Sequence, residues 1–398
     1  MISCHTLSYA FSHHLLHQAS ELSRRLPDYL AVTPSFFTPA NVARVGRLSR
    51  KLQTVLARRT HPAVPPSTIR TYPVEHLYQA CARIAGRPYS YFSAHDRMAR
   101  RIVRDFNPPH TLIAIDTGAE GLFRAWRGRS RLVLDLTIAT PHYRSKIFTE
   151  AEASPVHRGV RFHHPGDWEL SRYAAEVSMA DLILCPSEFV MDSCRHLGAP
   201  ESKLRLLPYG FDPGRFSPPK IAKTRGAFRV VFAGTFSHRK GSHLLLDAFT
   251  RFQRNRPGAE LHVFGEVLDA PERVPPGVTL HGRVPQELLA ERFRDMHVMA
   301  FPTLFEGSAY VVYQALASGL PVITTHNCGS VVNASCGLIL DTITADALHD
   351  ALLRCHDDQS LLDSLSAAAP KVASHYTWAR YGERLTHILN EDPSARVA

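Results

Sequence analysis

Glu306 has the setting in this chain that best suits chemistry. It lies in LFEGSAYVVYQALASGLPVIT, residues 304–324. A lone acid precedes three small residues, Gly307, Ser308 and Ala309, and an apolar helical run follows. Ser308 reads as the helix N-cap. Gly319 suits the C-terminal cap, and Pro321 prevents continuation. Free amides of a first helical turn make an anion site, here at Ser308, Ala309 and Tyr310. The small side chains would let a phosphate approach the backbone closely. Beside that phosphate, the Glu306 carboxylate would accept hydrogen bonds from sugar hydroxyls. An acid in this place also stabilises a helix N-terminus, and the stretch alone does not separate the two roles. Gln314 stands eight positions on, where a second acid would complete the pattern.

The second stretch is VVFAGTFSHRKGSHLLLDAF, residues 230–249. An apolar strand ends before Gly234 and Thr235. Arg239 and Lys240 follow, Gly241 leads into an amphipathic helix, and Ser242 reads as its cap. Two cations at a strand-to-helix loop suit a diphosphate, because Lys brings a point charge and Arg a planar fork. The spacing is not that of a P-loop, since GxxxxGK[ST] is absent. A basic surface turn would look the same in isolation.

These stretches need elements to hold them. Strand patterns fall at residues 110–116, 131–138, 181–185, 203–209, 228–233, 260–265, 278–282, 297–302 and 321–325. Helical patterns fall at 15–26, 242–253, 287–294, 311–318 and 345–355. Such alternation predicts parallel sheets covered on both faces. Residues 210–226, GFDPGRFSPPKIAKTRG, are rich in Pro, Gly and Lys and mark a boundary. Two α/β domains are expected, 1–217 and 218–375, with a ligand beyond the carboxyl ends of the strands.

A chain of 398 residues buries a large core. No apolar run approaches the roughly 18 residues that span a bilayer, and the N-terminus lacks the apolar stretch of a signal peptide. Seven scattered cysteines without a CxxC suggest neither disulfides nor zinc. A cytoplasmic setting is expected. Residues 1–150 hold 21 Lys and Arg against 9 Asp and Glu, whereas 151–398 hold 25 against 27. The basic excess therefore lies in the first domain and suits an anionic partner. It is densest at 43–60, where Arg47, Arg50, Lys51, Arg58 and Arg59 surround apolar residues at helical spacing. That pattern fits either an anionic membrane surface or a solvated helix face. No nucleic-acid-binding motif accompanies the charge.

Together the two stretches resemble those of the retaining glycosyltransferases of family 4, the glycosyl transferases group 1. The carrying residues are Gly234, Lys240-Gly241, Leu245-Leu246 and Ala248-Phe249, then Glu306-Gly307, Gly319 and Pro321-Val322. The likeness extends over about 180–385, from ADLILCPSEFV through LRLLPYGFDPGRFSP, LHVFGE and VTLHGRVP to YTWARYGERL. The resemblance implies the GT-B fold, two Rossmann-like domains facing each other across a cleft, with a closing helix in 376–398 returning to the first. It implies a nucleotide-diphosphate sugar as donor on the second domain and a carbohydrate or lipid-linked acceptor on the first. Lys240 would neutralise the diphosphate, and Glu306 would hold the donor sugar. Gly265, Glu266, Gly282 and Val284 would lie near the base. No DxD triplet occurs, which fits metal-free transfer with the nucleotide sugar as co-substrate and no cofactor.

Three departures stand out. Thr235 replaces an Arg, whose charge Arg239 would supply. Gln314 replaces the second acid and keeps donor and acceptor capacity toward the ribose. The segment LSYAFSHH, residues 7–14, lacks the family's glycines. On the first domain, Asp135 and His142 in LVLDLTIATPHYR are both candidate catalytic partners. Asp135 interrupts an apolar strand, where an unpaired charge is costly; a single His among 23 is often structural. A non-catalytic sugar-nucleotide-binding relative and a nucleotide-sugar epimerase are the competing readings.

Overall fold

The computed structural model describes residues 1–10, 14–46, 56, 59–73, 75, 91–219 and 226–391. Most of the short apolar runs become strands buried on both faces, as parallel sheets require, and the edge strands Ile69–Thr71 and Val278–Gly282 stay partly exposed. In the first lobe these are β1 (Thr6–Tyr9), β2 (Tyr29–Thr33), β3 (Ile69–Thr71), β4 (Thr111–Ile115), β5 (Arg131–Asp135), β6 (Leu182–Cys185) and β7 (Leu204–Leu206). In the second they are β8 (Arg229–Ala233), β9 (Glu260–Phe264), β10 (Val278–Gly282), β11 (Val298–Phe301), β12 (Val322–Thr325) and β13 (Gly337–Leu340).

The first sheet runs β3-β2-β1-β4-β5-β6-β7 and the second β10-β9-β8-β11-β12-β13. Every pairing between these strands is parallel. In each sheet the strand order reverses beside its first strand. That places a crevice at the carboxyl ends of β1 and β4, and another at those of β8 and β11. The segments after β8 and β11 are the two stretches singled out above.

All nine predicted strands form, mostly trimmed by one or two residues. The largest trim is at 203–209, where β7 ends at Leu206 and Pro208 has no N–H for a ladder. Four strands escaped the pattern. In β1, TLSY, Thr6 and Ser8 read as polar, yet both are buried. β3 is three residues at the sheet edge, and β2 and β13 are short. The five predicted helices form as His14–Arg25, Ser242–Asn255, Gln286–Asp295, Tyr310–Ala317 and Ala345–Asp357.

Two expected caps are not made. Gly241, at φ 74°, occupies the N-cap of Ser242–Asn255, and Ser242 is the first helical residue. Ala309 occupies the N-cap of Tyr310–Ala317, and Ser308 instead exchanges a 2.7 Å hydrogen bond with the Tyr313 hydroxyl. Both helix starts therefore lack a capping side chain.

The final helix, Trp378–Asn390, packs on His14–Arg25 of the first lobe. Gln18 Nε2 donates to the Tyr381 hydroxyl at 3.1 Å, and Trp378 stacks on His17 at 4.2 Å. Phe211 N donates to Tyr376 O at 3.0 Å, so both crossings between lobes run side by side. Of the basic stretch, Arg47, Arg50, Lys51 and Arg58 lie outside the described residues. Arg59 sits in a turn whose carbonyl accepts from Phe37 N at 2.9 Å.

Candidate active site

The turn after β8 is built on close backbone contact. Gly234 N donates to Phe264 O and Gly265 N to Gly282 O, both at 2.8 Å, which brings the ends of β8, β9 and β10 level. A Cβ on Gly265, at φ 133°, would lie 1.9 Å from Gly234 O, so only glycine fits. Thr235 is half-buried beside Gly234. The chain then folds through a short 3-10 turn, His238–Lys240, into the uncapped helix. That turn aims Arg239 and Lys240 at the segment following β11.

There the two stretches meet. Arg239 Nη1 is 2.9 Å and Lys240 Nζ 3.0 Å from the same oxygen of Glu306. Arg239 also donates to Phe305 O at 2.7 Å, and the Glu306 amide is fixed by Asn327 O at 2.8 Å. The Lys240 ammonium lies 5.2 Å from the centre of the Phe301 ring. Glu306 and Lys240 side chains are each 14 % exposed and Arg239 30 %. Burial works against the Glu306 charge, but the two cations outweigh it and hold the carboxyl below its ordinary range. Two cations on one carboxylate leave a net positive site, next to the amides of Ala309 and Tyr310 at an uncapped helix start.

The other predicted donor residues lie on the segments after β9 and β10 and on the helix that follows Glu306. Gly265 and Glu266 follow β9, and Glu266 pairs with Arg283 beside half-buried Val284. Gln314 Nε2 donates to Gln286 Oε1 at 3.0 Å, tying its helix to the segment that follows β10. Tyr310 stacks on Tyr209 at 4.9 Å, between the lobes.

The lobes touch at Gly307. A Cβ there would lie 1.8 Å from the Thr137 carbonyl oxygen, and Ser187 Oγ donates to Gly307 O at 2.6 Å. A second bridge joins His157 Nδ1 to His243 Nε2 at 2.7 Å.

The two first-lobe candidates are placed differently. Asp135 closes β5 and is buried, with His14 Nε2 at 2.9 Å and Gln18 Nε2 at 3.0 Å from its Oδ2. It is thus tied to the first helix and, through Gln18, to the returning one. His142 lies in the first turn of Pro141–Ala153, half-buried, its Nδ1 without a partner among the described residues. Burial first, then His196 nearby, lowers its pKa. Neither is hydrogen-bonded to the Glu306 segment among the described residues; Ser187 makes that bond, and the Thr137 carbonyl packs against Gly307. Sequence reasoning missed both, because neither an ordinary Thr nor an ordinary helix-capping Ser carries a distinctive signal.

Residues 227–358 match the family described as Glycosyl transferases group 1. That match lies within the second lobe, the lobe that carries Arg239, Lys240 and Glu306. The chain is 27% identical over 223 residues to the D-inositol 3-phosphate glycosyltransferase of Pseudarthrobacter chlorophenolicus, a match covering 50% of this chain and 53% of that protein. The chain thus spans about half the length of such curated relatives. Among solved structures, sucrose-phosphate synthase from Thermosynechococcus elongatus superposes with a TM-score of 0.65 at 14% identity, covering 96% of this chain and 98% of that one. Anabaena HepE in complex with UDP-glucose gives 0.63 at 14% identity, covering 96% and 98%. The fold is GT-B.

The pairing of Glu306 with Arg239 and Lys240 has a pH-dependent consequence for stability. A carboxyl with a depressed folded pKa adds stability above its unfolded pKa, and loses it as pH falls through the folded value. Wild type should therefore exceed Glu306→Gln in stability at pH 7, and the gap should close below about pH 4. Urea unfolding of both proteins across that range checks it; a gap that widens on acidification refutes the pairing.

Proposed function

We propose that the protein is an enzyme that moves a sugar from a nucleotide-diphosphate sugar to an acceptor, retaining anomeric configuration and using no divalent metal. The observation that carries this reading is the convergence of Arg239 and Lys240 on Glu306 beside an uncapped helix start. A diphosphate offers both cations a better partner than one carboxylate oxygen. Departure of the nucleotide builds negative charge on that diphosphate. Prearranged cations and amides stabilise the charge and lower the barrier to breaking the anomeric C–O bond. Glu306, relieved of its ion pairs, accepts from the hydroxyls of the donor sugar and orients its reacting face. Gly265, Glu266, Val284 and Gln314 would take the nucleoside. The UDP-glucose bound by HepE supports a nucleotide sugar as donor, and the named activity of the inositol phosphate relative supports transfer.

The deciding experiment incubates the protein with UDP- and GDP-sugars, with and without a chelator, and follows nucleotide release and product anomer by NMR. Release with one donor, unaffected by the chelator and giving the donor's anomeric configuration, is expected. An inverted product, or activity lost to the chelator, refutes the corresponding part. Nucleotide binding without any turnover favours the non-catalytic reading.

The acceptor is proposed to be a carbohydrate or lipid-linked molecule met by the basic first lobe, at the cytoplasmic face of a membrane. No described helix is long and apolar enough to cross a bilayer. Cosedimentation with vesicles containing anionic lipid should fall when Arg47, Arg50, Lys51 and Arg58 are reversed in charge, and should weaken with added salt. Unchanged partitioning would reject surface binding by these residues.

A further inference from the structure

The first lobe holds a buried polar cluster that the donor chemistry leaves unused. Asp116 follows β4 and is 4 % exposed. Its carboxylate accepts from the Thr137 hydroxyl at 3.0 and 3.1 Å and from the Tyr173 hydroxyl at 2.5 Å. Thr137 is the residue whose carbonyl packs against Gly307, next in sequence to Glu306. Asp116 is therefore one hydrogen bond from the point where the first lobe meets the donor machinery.

The surroundings hold that carboxylate in place at some cost. Thr117 sits at φ 65°, the left-handed region that a β-branched residue rarely adopts. Fully buried Glu176 fixes the turn, accepting from the amides of Thr117 at 2.8 Å and of Ala119 and Glu120 at 3.0 Å. Strain of this kind persists only where neighbouring structure enforces it, and it concentrates at functional sites. The partners of Asp116 are two hydroxyls and the Thr137 amide, and burying a carboxylate with no cation paired to it is costly.

We propose that Asp116 is a positioning residue for the attacking hydroxyl: it fixes the Thr137 hydroxyl so that Thr137 Oγ1 accepts a hydrogen bond from the acceptor, or from water in its place. This rests on the glycosyltransferase reading. With Asp116 ionised, the Thr137 proton points to Asp116, and Oγ1 presents its lone pairs to the cleft. With Asp116 protonated, the carboxyl donates to Oγ1, and the Thr137 proton turns outward. The attacking oxygen then meets a donor where it needs an acceptor. As the new C–O bond forms and the sugar–diphosphate bond breaks, the attacking hydroxyl's proton passes to the departing diphosphate oxygen, so neither Thr137 nor Asp116 gains or loses a proton overall.

Burial first raises the Asp116 pKa, to about 6, against the lowering effect of Tyr173 and Thr137. The groups facing it are Tyr173 and Glu176 from Asp167–Met179, with Arg172 beside Glu176, Asp135 from β5, and Tyr209. Arg144 lies 6.0 Å from the Tyr173 ring. The expected consequence is an activity that rises with pH through about 6.

The test uses hydrolysis of UDP-glucose or GDP-mannose, whichever the wild-type protein cleaves, so that water stands for the acceptor. Thr137→Ala should lower kcat about tenfold or more with donor KM within about threefold of wild type, and Thr137→Ser should restore it. Asp116→Asn should lower kcat and remove the acidic limb of the pH profile. Tyr173→Phe, which keeps the packing, should shift that limb without abolishing activity. The proposal is overturned if Thr137→Ala leaves kcat unchanged, if Thr137→Ser fails to restore it, or if the acidic limb survives in Asp116→Asn. Equal changes in kcat, donor KM and melting temperature would show a purely structural tie and also overturn it. A wild-type protein that cleaves neither donor refutes the underlying glycosyltransferase reading instead.

Discussion

Glu306→Gln is expected to cut sugar transfer about 100- to 1,000-fold while nucleotide diphosphate binds at least as tightly as to wild type. Arg239 and Lys240 both spend their charge on one Glu306 oxygen, at 2.9 and 3.0 Å. A diphosphate must compete with that carboxylate, and Gln removes the competitor while keeping the shape. The catalytic loss has a separate origin. A neutral amide accepts weakly from sugar hydroxyls and offers no charge to a transition state that gains positive character at the anomeric carbon. Lys240→Ala should behave in the opposite way, losing nucleotide affinity first, because truncating one partner of a desolvated charged contact costs about 2–5 kcal/mol. Calorimetric titration with UDP and GDP, beside single-turnover transfer, separates the two. Glu306→Gln that weakens nucleotide binding as much as Lys240→Ala would place the acid in the diphosphate contact itself and overturn the assigned roles.

The second large effect is expected from one methyl group. Gly307→Ala should lower kcat about 100-fold or more, with the second lobe still binding nucleotide. The added Cβ would fall 1.8 Å from the Thr137 carbonyl and 2.9 Å from the Ile138 Cα. Both are first-lobe backbone, which cannot rotate away as a side chain does. The lobes must then part by an ångström or more, and the Ser187 bond to Gly307 O lengthens or breaks. Closure excludes water and brings reacting groups within reach, so a small separation is costly. Small-angle scattering of the nucleotide-bound variant should show a larger radius of gyration than wild type. Unchanged scattering and turnover would mean that the Gly307 contact is not part of the working state.

Much of the second lobe was legible before any coordinates. Arg239, Lys240 and Glu306 stand in segments framed by apolar strands and glycines, and local patterning alone places both segments at strand-to-helix turns. Gly241 and Gly319, at φ 74° and 72°, sit where chain reversal demands glycine. The first lobe was less legible. Its strands β1 and β3 are short or carry buried polar residues, and nothing local distinguishes Thr6 inside a sheet from Thr6 in a loop. The expected caps at Ser242 and Ser308 failed for a related reason. A serine's preference for the N-cap is local, but Gly241 took one cap, and the Tyr313 hydroxyl claimed the other serine from five residues away.

The sequence by itself determined the alternation of strand and helix, the two cationic and acidic segments, and the concentration of positive charge in the first 150 residues. The first two follow from spacing within about twenty residues, the range over which periodicity and turn chemistry act, and the third is a matter of composition. Only the tertiary structure decided which groups meet. Glu306 is 66 and 67 positions from Lys240 and Arg239, yet shares one oxygen with both. Asp135, a charge ending an apolar strand, is turned inward to His14 and Gln18, while Asp116, one residue past the position that pairs with Asp135 on the neighbouring strand, reaches Thr137 at the junction of the lobes. Two carboxylates that each close an apolar run differ because pairing register and packing between distant segments set what each one faces.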